Sequence, residues 1–123
     1  MAVGKTRFAT LKTITRNIQD AAQRYYLIHG TYTGVSINNL DIKIPTDMEC
    51  YIWETAGTDQ VSCQKEIFGV TIRYYLFRST GKPRYCFAYS TNKTDKANLL
   101  CQKETGRTID QADCNNSYCS YWF

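Results

Sequence analysis

The chain has 123 residues, a length typical of one domain with a core of its own. A composition of 43% hydrophobic and 21% charged residues excludes a disordered polar segment. The net charge of +4 is too small to indicate binding to nucleic acid or to an acidic surface by itself.

The first thirty residues predict one long amphipathic helix, from about Lys5 to His29. Apolar side chains recur there at steps of three and four, which is the spacing of one helix stripe. The stripe consists of Phe8, Leu11, Ile14, Ile18, Ala21, Ala22, Tyr25 and Ile28. Gly30 is the expected C-cap, because glycine adopts the left-handed conformation most easily. Since such a helix is marginal alone in water, we expect the rest of the chain to pack against the stripe.

The segment from about residue 30 to residue 48 is predicted to be a connecting loop. It begins with the turn formers Thr31-Tyr32-Thr33-Gly34 and continues through Asn38 and Asn39. Leu40, Ile42 and Ile44 then alternate with polar residues. That alternation indicates either a short edge strand or a loop anchored on the core, and Pro45 ends it.

Residues 49–123 are predicted to form a sheet in a cysteine-rich region. The β-like runs are Cys50 to Glu54, a strand through Val61 and Cys63, Ile67 to Arg78, and Tyr85 to Ser90. The last two runs flank a segment with Gly81 and Pro83, which predicts a hairpin.

A second, short helix is expected from Lys96 to Lys103, with Thr94 or Asp95 as N-cap and Gly106 after its end. The tail from Asp113 to Phe123 carries two cysteines and three final aromatic residues, so we expect it to be pinned to the domain. The whole pattern predicts an α+β fold: one domain with a long N-terminal helix packed on an antiparallel sheet of about four strands.

Six cysteines give the most specific signal in the composition: Cys50, Cys63, Cys86, Cys101, Cys114 and Cys119. There is no C-x-x-C spacing and only one histidine, which favours disulfides over a metal site. We expect pairing in sequence order, because each successive pair brackets a turn or a short element. Disulfides in turn indicate an oxidising compartment. Since the sequence has neither a signal peptide nor about eighteen consecutive apolar residues, we expect a mature or shortened form of an exported protein.

The order of elements resembles the type IV pilins and the related pseudopilins. Three segments carry the resemblance. Ala2 to Ala9 is similar to the part of a pilin that follows its membrane-spanning half-helix, and Gln19 to Thr33 is similar to the end of that helix where it enters the next loop. Ala97 to Gly106, with the cysteine-bearing end, is similar to pilin heads. The prepilin cleavage site and the apolar half-helix that follows it are not in the sequence, so the resemblance implies a head domain.

The resemblance implies a structural subunit of a pilus, which acts by helical self-assembly in attachment, motility or DNA uptake. Its partners would be other pilin subunits and the assembly machinery, and its location an extracellular filament reached through the inner membrane and periplasm. The expected filament-packing face is the first part of the helix stripe: Phe8, Leu11, Ile14 and Ile18. Because a helix of twenty-five residues is about 37 Å long and four strands span only about 15–20 Å, we expect Phe8 and Leu11 to be more exposed than Ile18, Ala22 and Tyr25.

Two alternatives remain open. The first is a pseudopilin of a type II secretion system. The second is a secreted, disulfide-rich module that binds sugar, protein or DNA through aromatic and basic residues. An exposed stripe at Phe8, Leu11 and Ile14 favours the filament, whereas full coverage of the stripe within the monomer favours the module.

No motif indicates catalysis or a cofactor, and we expect neither an enzyme nor a metal site. The sequence has no G-x-S-x-G and no H-E-x-x-H, and His29 at a helix end is predicted to be structural. A possible nucleic-acid or partner surface, with Tyr85 and Tyr89 nearby for stacking, consists of Lys82, Arg84, Lys93, Lys96, Lys103 and Arg107. The simpler interpretation, a solvated basic surface, is favoured.

Two further patterns are weaker. Asn92-Lys93-Thr94 and Asn115-Asn116-Ser117 match the N-glycosylation pattern, which also occurs often by chance. The final residues Tyr121, Trp122 and Phe123 predict either an exposed binding patch or packing over the sheet.

Overall fold

The structure, a computed structural model, describes residues 2–53, 60–77 and 84–123. These residues contain two α-helices, α1 (Ala2–His29) and α2 (Lys96–Thr105), and two single-turn 3-10 helices, Ile37–Asn39 and Ile109–Gln111. The strands are β1 (Glu49–Trp53), β2 (Gln60–Ile67), β3 (Val70–Phe77), β4 (Arg84–Ala88), β5 (Asp113–Cys114) and β6 (Cys119–Trp122). Within the described residues, no helix combines the length and apolar character needed to cross a bilayer.

The described strands form one antiparallel sheet in the order β1-β2-β3-β4-β6-β5. This confirms the predicted α+β class with an N-terminal helix and corrects the number of strands from about four to six. Two strands come from the tail, which is paired into the sheet as β5 and β6. The loop before β1 contains no strand. Leu40, Ile42 and Ile44 instead pack, partly buried, against the core.

The run from Ile67 to Arg78, predicted to be one strand, is interrupted by a turn at Phe68 and Gly69. Both residues have positive φ, 58° and 75°, and Ile67 pairs directly with Val70 across the turn. Two central residues with positive φ match the tight hairpin turn that suits the twist of the flanking strands. The predicted hairpin therefore corresponds to β3 and β4. Its expected turn falls on residues 78–83, which lie outside the described part.

Both helices pack on the same face of the sheet, here called the inner face. Cys50, Cys63, Tyr74, Cys86 and Tyr121 lie opposite one another across five strands and form one row on it. The α1 side chain Phe8 contacts Tyr74 edge to face, with ring centroids 5.8 Å apart. Residue Cys101 of α2 is joined to Cys86, so α2 is fixed to the same row.

The helix caps follow the sequence prediction. Gly30 has φ 72° and its N–H donates to Tyr26 O at 2.7 Å, which closes α1. At α2, the Asp95 carboxylate accepts a hydrogen bond from the Asn98 N–H at 2.8 Å, and Gly106 with φ 75° ends the helix. These local signals correctly placed the C-terminal end of α1 and both ends of α2.

The predicted exposure of the helix start is wrong. The N-terminal part of α1 is buried, and its C-terminal end is exposed instead. Phe8 and Leu11 are 0% exposed, as is Ile18, whereas Leu27 and Ile28 near the other end are 75% and 78% exposed. The helix does overhang the sheet, but at its C-terminal end. Its N-terminal end is held because the Phe68 ring lies against Gly4, where an added Cβ would be 2.3 Å from the ring.

The expected filament-packing face is therefore corrected as well. Phe8, Leu11 and Ile18 are fully buried and Ile14 is partly buried, all against this domain's own core. Another molecule could reach these side chains only if this domain unfolded. The stripe that was expected to make contacts between subunits instead packs within the domain.

The cysteines pair in the predicted order: Cys50 with Cys63, Cys86 with Cys101, and Cys114 with Cys119. The first and third bonds join residues directly opposite each other on neighbouring strands. The second bond ties α2 to the middle of the sheet. All three lie on the inner face.

Truncation of Phe8 should be among the most destabilising changes in the chain. Because its ring is fully buried between α1 and the sheet, Phe8→Ala is expected to lower the free energy of unfolding by about 3–5 kcal/mol. Leu27→Ala on the same helix is the matched control, and its effect should be within about 0.5 kcal/mol because that side chain is exposed. Urea unfolding followed by circular dichroism measures both, and equal effects would contradict the observed packing.

Removal of the disulfide between sheet and helix should cost more than removal of the terminal one. Cys86 and Cys101 are 15 residues apart and Cys114 and Cys119 are 5 apart. By the chain-entropy relation, Cys86→Ala/Cys101→Ala should lower the free energy of unfolding by about 3 kcal/mol, and Cys114→Ala/Cys119→Ala by about 2 kcal/mol. Denaturant unfolding of the two double variants gives the comparison, and the reverse order would contradict it.

Candidate functional site

The outer face of the sheet, opposite the helices, carries a continuous set of aromatic side chains. Alternation along β3 and β4 directs them away from the row of buried residues. The set, here called the aromatic layer, consists of Tyr51, Tyr75, Phe77, Tyr85, Phe87, Tyr89 and Tyr118. Tyr51 is exposed and the other six are half-buried. Within the described residues, neither α1 nor α2 covers this face, and each ring keeps part of its solvent exposure.

Phe87 is at the centre of the aromatic layer. Its ring centroid is 4.7 Å from that of Tyr75 and 4.9 Å from that of Tyr118, which is nearly parallel to it. Tyr85 and Tyr89 follow at 6.1 and 6.3 Å. These distances are those of favourable aromatic pairs, each of which contributes about 0.5–1.5 kcal/mol beyond the burial of its area. The layer is therefore a packed surface with fixed rings.

Arg73 on β3 lies at one side of the aromatic layer and is held from several directions. Its guanidinium carbon is 5.2, 5.5 and 5.4 Å from the ring centroids of Tyr51, Tyr75 and Tyr89. Its Nε donates to Gln64 Oε1 at 2.9 Å and its Nη1 donates to the Tyr75 hydroxyl at 2.8 Å. Its Nη2 also donates to Gln64. The cation is thus positioned before any ligand arrives, which lowers the entropic cost of binding.

A polar edge borders the rings next to Arg73. The Tyr51 hydroxyl donates to Glu49 Oε2 at 2.8 Å, and the Gln64 side-chain amide donates to the same oxygen at 3.2 Å. The hydrogen bond to Glu49 is the largest cause of a raised pKa at Tyr51. Aromatic faces beside fixed donors and acceptors can recognise a ligand by stacking and hydrogen bonding.

Burial, together with the nearby Tyr75 hydroxyl, raises the pKa of Tyr89 to about 12, and the charge of Arg73 opposes the rise. The neutral phenol therefore persists well above neutral pH. At physiological pH the Tyr89 hydroxyl is an intact donor and acceptor.

Three described residues of the expected basic surface lie at two places. Arg84 and Arg107 stack on Phe123 and Trp122, with guanidinium carbons 4.8 and 4.6 Å from the ring centroids, and Arg107 Nε also donates to Trp122 O. Lys96 Nζ lies 5.7 Å from the Phe68 ring at the start of α2, about 15 Å of helix away from the Arg107 end.

Lys93 and Lys103 are exposed, and Lys82 lies outside the described residues. Tyr85 and Tyr89, expected to stack with this group, point to the outer face, whereas α2 lies on the inner face. Strand alternation therefore separates the rings from the α2 cations.

The three final aromatic residues mainly pack. Tyr121 is fully buried and its hydroxyl donates to Asn98 Oδ1 at 2.7 Å. Phe123 contacts Phe8 and Tyr74. Tyr121 and Phe123 therefore pack against the core, whereas Trp122 is half-buried and carries Arg107 on its ring. His29 is exposed and stacks on Tyr25 at 4.1 Å, remote from the aromatic layer, on the exposed end of α1.

The aromatic layer was not predicted as a site, although its pattern is in the sequence. Arg73, Tyr75 and Phe77 alternate on one strand, and Tyr85, Phe87 and Tyr89 alternate on the next. A two-residue period of large side chains on both strands of a hairpin indicates a shared face. The missing information was which face the helices cover.

No metal-binding group of three or more His, Cys, Asp or Glu side chains occurs in the part of the chain that the structure describes. No protein-family model matches the chain, and no match was found among curated proteins or solved structures. The fold and its exposed surfaces are therefore the evidence for the function.

The raised pKa of Tyr89 predicts a loss of stability at alkaline pH. An unfolded tyrosine ionises near pH 10, whereas folded Tyr89 holds its proton up to about pH 12. The stabilising contribution is complete below pH 10 and is lost as pH rises through 12, because the unfolded chain releases its proton first. Tyr89→Phe should show a shallower decline of the free energy of unfolding in that window. Denaturant titrations at several pH values measure this, and an unchanged slope would contradict the assignment.

Proposed function

We propose that the chain is the head of a subunit of a type IV pilus or a related cell-surface filament. The observation that carries the proposal is the architecture. A 28-residue N-terminal helix lies along one antiparallel sheet, and the cysteine-bearing tail is paired into that sheet. This is the arrangement that the resemblance to pilins implies. Since one fold can serve several functions, the proposal requires a test at the level of the filament.

The exposed side of α1 is the face that would meet neighbouring subunits. Thr6, Thr10, Thr13 and Asn17 are exposed at steps of four, three and four, opposite the buried stripe. The Thr10 and Thr13 hydroxyls donate to Thr6 O and Ala9 O, so they are already satisfied within the helix. Short side chains of this kind allow another helix to approach closely. This face replaces the Phe8 stripe in the proposal.

Assembly would follow from repetition of one contact between unlike surfaces. Subunits related in this way form an open helix of indefinite length, and a membrane-anchored half-helix would bring them together first. The three disulfides would limit unfolding of the head outside the cell. Attachment, motility or DNA uptake would then be properties of the assembled filament.

The filament proposal is tested by placing a bulky cation on the exposed side of α1. In cells that make this protein from its own gene, Thr13→Arg should strongly reduce surface filaments counted by electron microscopy. The matched control is Thr46→Arg, the same change at an exposed residue away from α1. Both variants should keep the wild-type stability within about 0.5 kcal/mol.

Two outcomes would contradict the filament proposal. Deletion of the gene with no loss of surface filaments would overturn it. Wild-type filament numbers in a folded Thr13→Arg variant would overturn the assignment of the α1 face. Loss of protein secretion without loss of surface filaments would instead indicate a pseudopilin, which would use the same helix face.

The second candidate is a secreted module that binds a ligand through the aromatic layer. Coverage of Phe8 and Leu11 within the monomer is the specific observation that favours it, because the domain buries its own stripe without a neighbour. The half-exposed rings around Arg73 offer a surface for stacking with sugar, protein or DNA. This candidate predicts that Thr13→Arg leaves ligand binding intact while Phe87→Ser weakens it.

A further inference from the structure

The two asparagine triplets that match the N-glycosylation pattern lie in neighbouring loops at one end of the sheet. Asn92 belongs to the loop between β4 and α2, and Asn115 belongs to the turn between β5 and β6. The last residue of β4, Ala88, pairs with Cys119 at the start of β6, so both loops leave the sheet at the same end. All six residues of the two triplets are exposed. The two asparagines therefore differ in the contacts that their side chains make and not in exposure.

We propose that Asn92 is a glycosylation acceptor that the folded protein presents in a ready geometry. The Asn92 Oδ1 atom accepts hydrogen bonds from the Thr94 hydroxyl at 3.0 Å and the Thr94 N–H at 3.2 Å. The two side chains that define the pattern are thus joined in one tight turn. Among the described residues, no hydrogen bond engages the Asn92 Nδ2 atom, so the amide nitrogen is free for reaction.

The backbone of this turn is fixed by hydrogen bonds on the side that faces the domain, which keeps the acceptor pointing outward. The Asn92 carbonyl accepts from Asn98 Nδ2 at 3.0 Å and from the Asp95 N–H at 3.1 Å. The Asn92 N–H donates to Ser90 Oγ at 3.1 Å. Asn98 itself is fully buried. The loop is therefore held by a buried side chain while its outer edge carries the acceptor.

The second triplet differs in the contacts that matter. The Asn115 Oδ1 atom accepts from the N–H groups of Ser117 and Tyr118, at 2.8 and 2.9 Å, and the Ser117 hydroxyl does not take part. The turn is closed by the bond between Cys114 and Cys119 only 5 residues apart. A transferase would find no hydroxyl joined to the acceptor amide there. We therefore assign the acceptor to Asn92 and not to Asn115.

The reaction needs an activated sugar donor, here a lipid-linked oligosaccharide diphosphate. The bond between the anomeric carbon and the diphosphate oxygen breaks, and the lipid diphosphate leaves with the electron pair. A new bond forms between that carbon and Asn92 Nδ2, which loses one proton to a carboxylate base of the transferase. The disulfides are consistent with this step, because they indicate the exported, oxidising setting in which N-glycosylation takes place.

The test uses the folded, oxidised chain, an oligosaccharyltransferase that accepts the three-residue pattern, and a lipid-linked oligosaccharide. A short peptide containing an Asn-Lys-Thr triplet confirms that the enzyme is active. Intact mass and peptide mapping should show one added glycan, on Asn92. Asn92→Gln and Thr94→Ala should abolish it, whereas Thr94→Ser and Asn115→Gln should retain it. Mapping of the three disulfides confirms that each variant is folded.

Three results would overturn the proposal. An active enzyme that leaves the folded chain unmodified shows that the turn does not present the acceptor. Modification only after reduction and unfolding shows the same. A glycan on Asn115 in preference to Asn92 shows that the hydroxyl contact does not select the site.

Discussion

Three aromatic rings from distant parts of the chain meet at one point of the core. Phe8 of α1 contacts both Tyr74 at the centre of the sheet and Phe123 at the chain end, and Tyr74 and Phe123 contact each other at 5.6 Å. Each large side chain that is fully buried stabilises the fold by about 1.5–3 kcal/mol. This contact fixes α1 over β3 and draws the tail into the sheet. It also decides which surfaces remain free: the far side of α1 and the outer face of the sheet.

A second network extends this order to the loops. The buried Tyr121 hydroxyl donates to Asn98 on α2, and Asn98 in turn donates to the carbonyl of Asn92. Since a buried polar group without a partner costs about 1–3 kcal/mol, each member of the chain holds the next in place. The bond between Cys86 and Cys101 fixes α2 on the same row. A loop that would be mobile on an isolated hairpin thereby acquires a defined shape.

Local patterns predicted what local forces determine. The caps of the helices, the α+β class and the pairing of neighbouring cysteines depend on short stretches of sequence, and the structure agrees with them. The stripe of α1 agrees except at its end, where Ile28 is exposed. The turn at Phe68 was missed because β-forming residues surround it, and its positive φ is supported by contacts with distant residues, Gly4 and Lys96. The exposed end of α1 was also assigned wrongly, because it too depends on contacts with residues distant in the sequence. Where a helix crosses a sheet depends on partners such as Phe123, which no local spacing reveals.

Local patterns were also insufficient to predict the aromatic layer. The alternation of Tyr75 and Phe77 identifies a face of β3, but the sequence does not say whether helices cover it. The cysteines could have decided this. Cys86 on β4 is bonded to a helix, so its side of the strand must be the covered one, and Tyr85 and Phe87 must be on the other. A pairing prediction combined with strand alternation therefore contains more information about the site than either contains alone.

The two free surfaces lie on opposite sides of the molecule, separated by the sheet and α1, and this makes the two candidate functions compatible. If the exposed side of α1 meets neighbouring subunits, the aromatic layer faces away from that contact and remains accessible in every copy. A weak single contact to Arg73 and its rings would then be repeated along the filament. Repetition raises the effective concentration of the surface, so total binding can exceed that of one head by orders of magnitude without a new contact. If the filament proposal holds, a surface with low affinity in the isolated domain can therefore still bind strongly in the assembly.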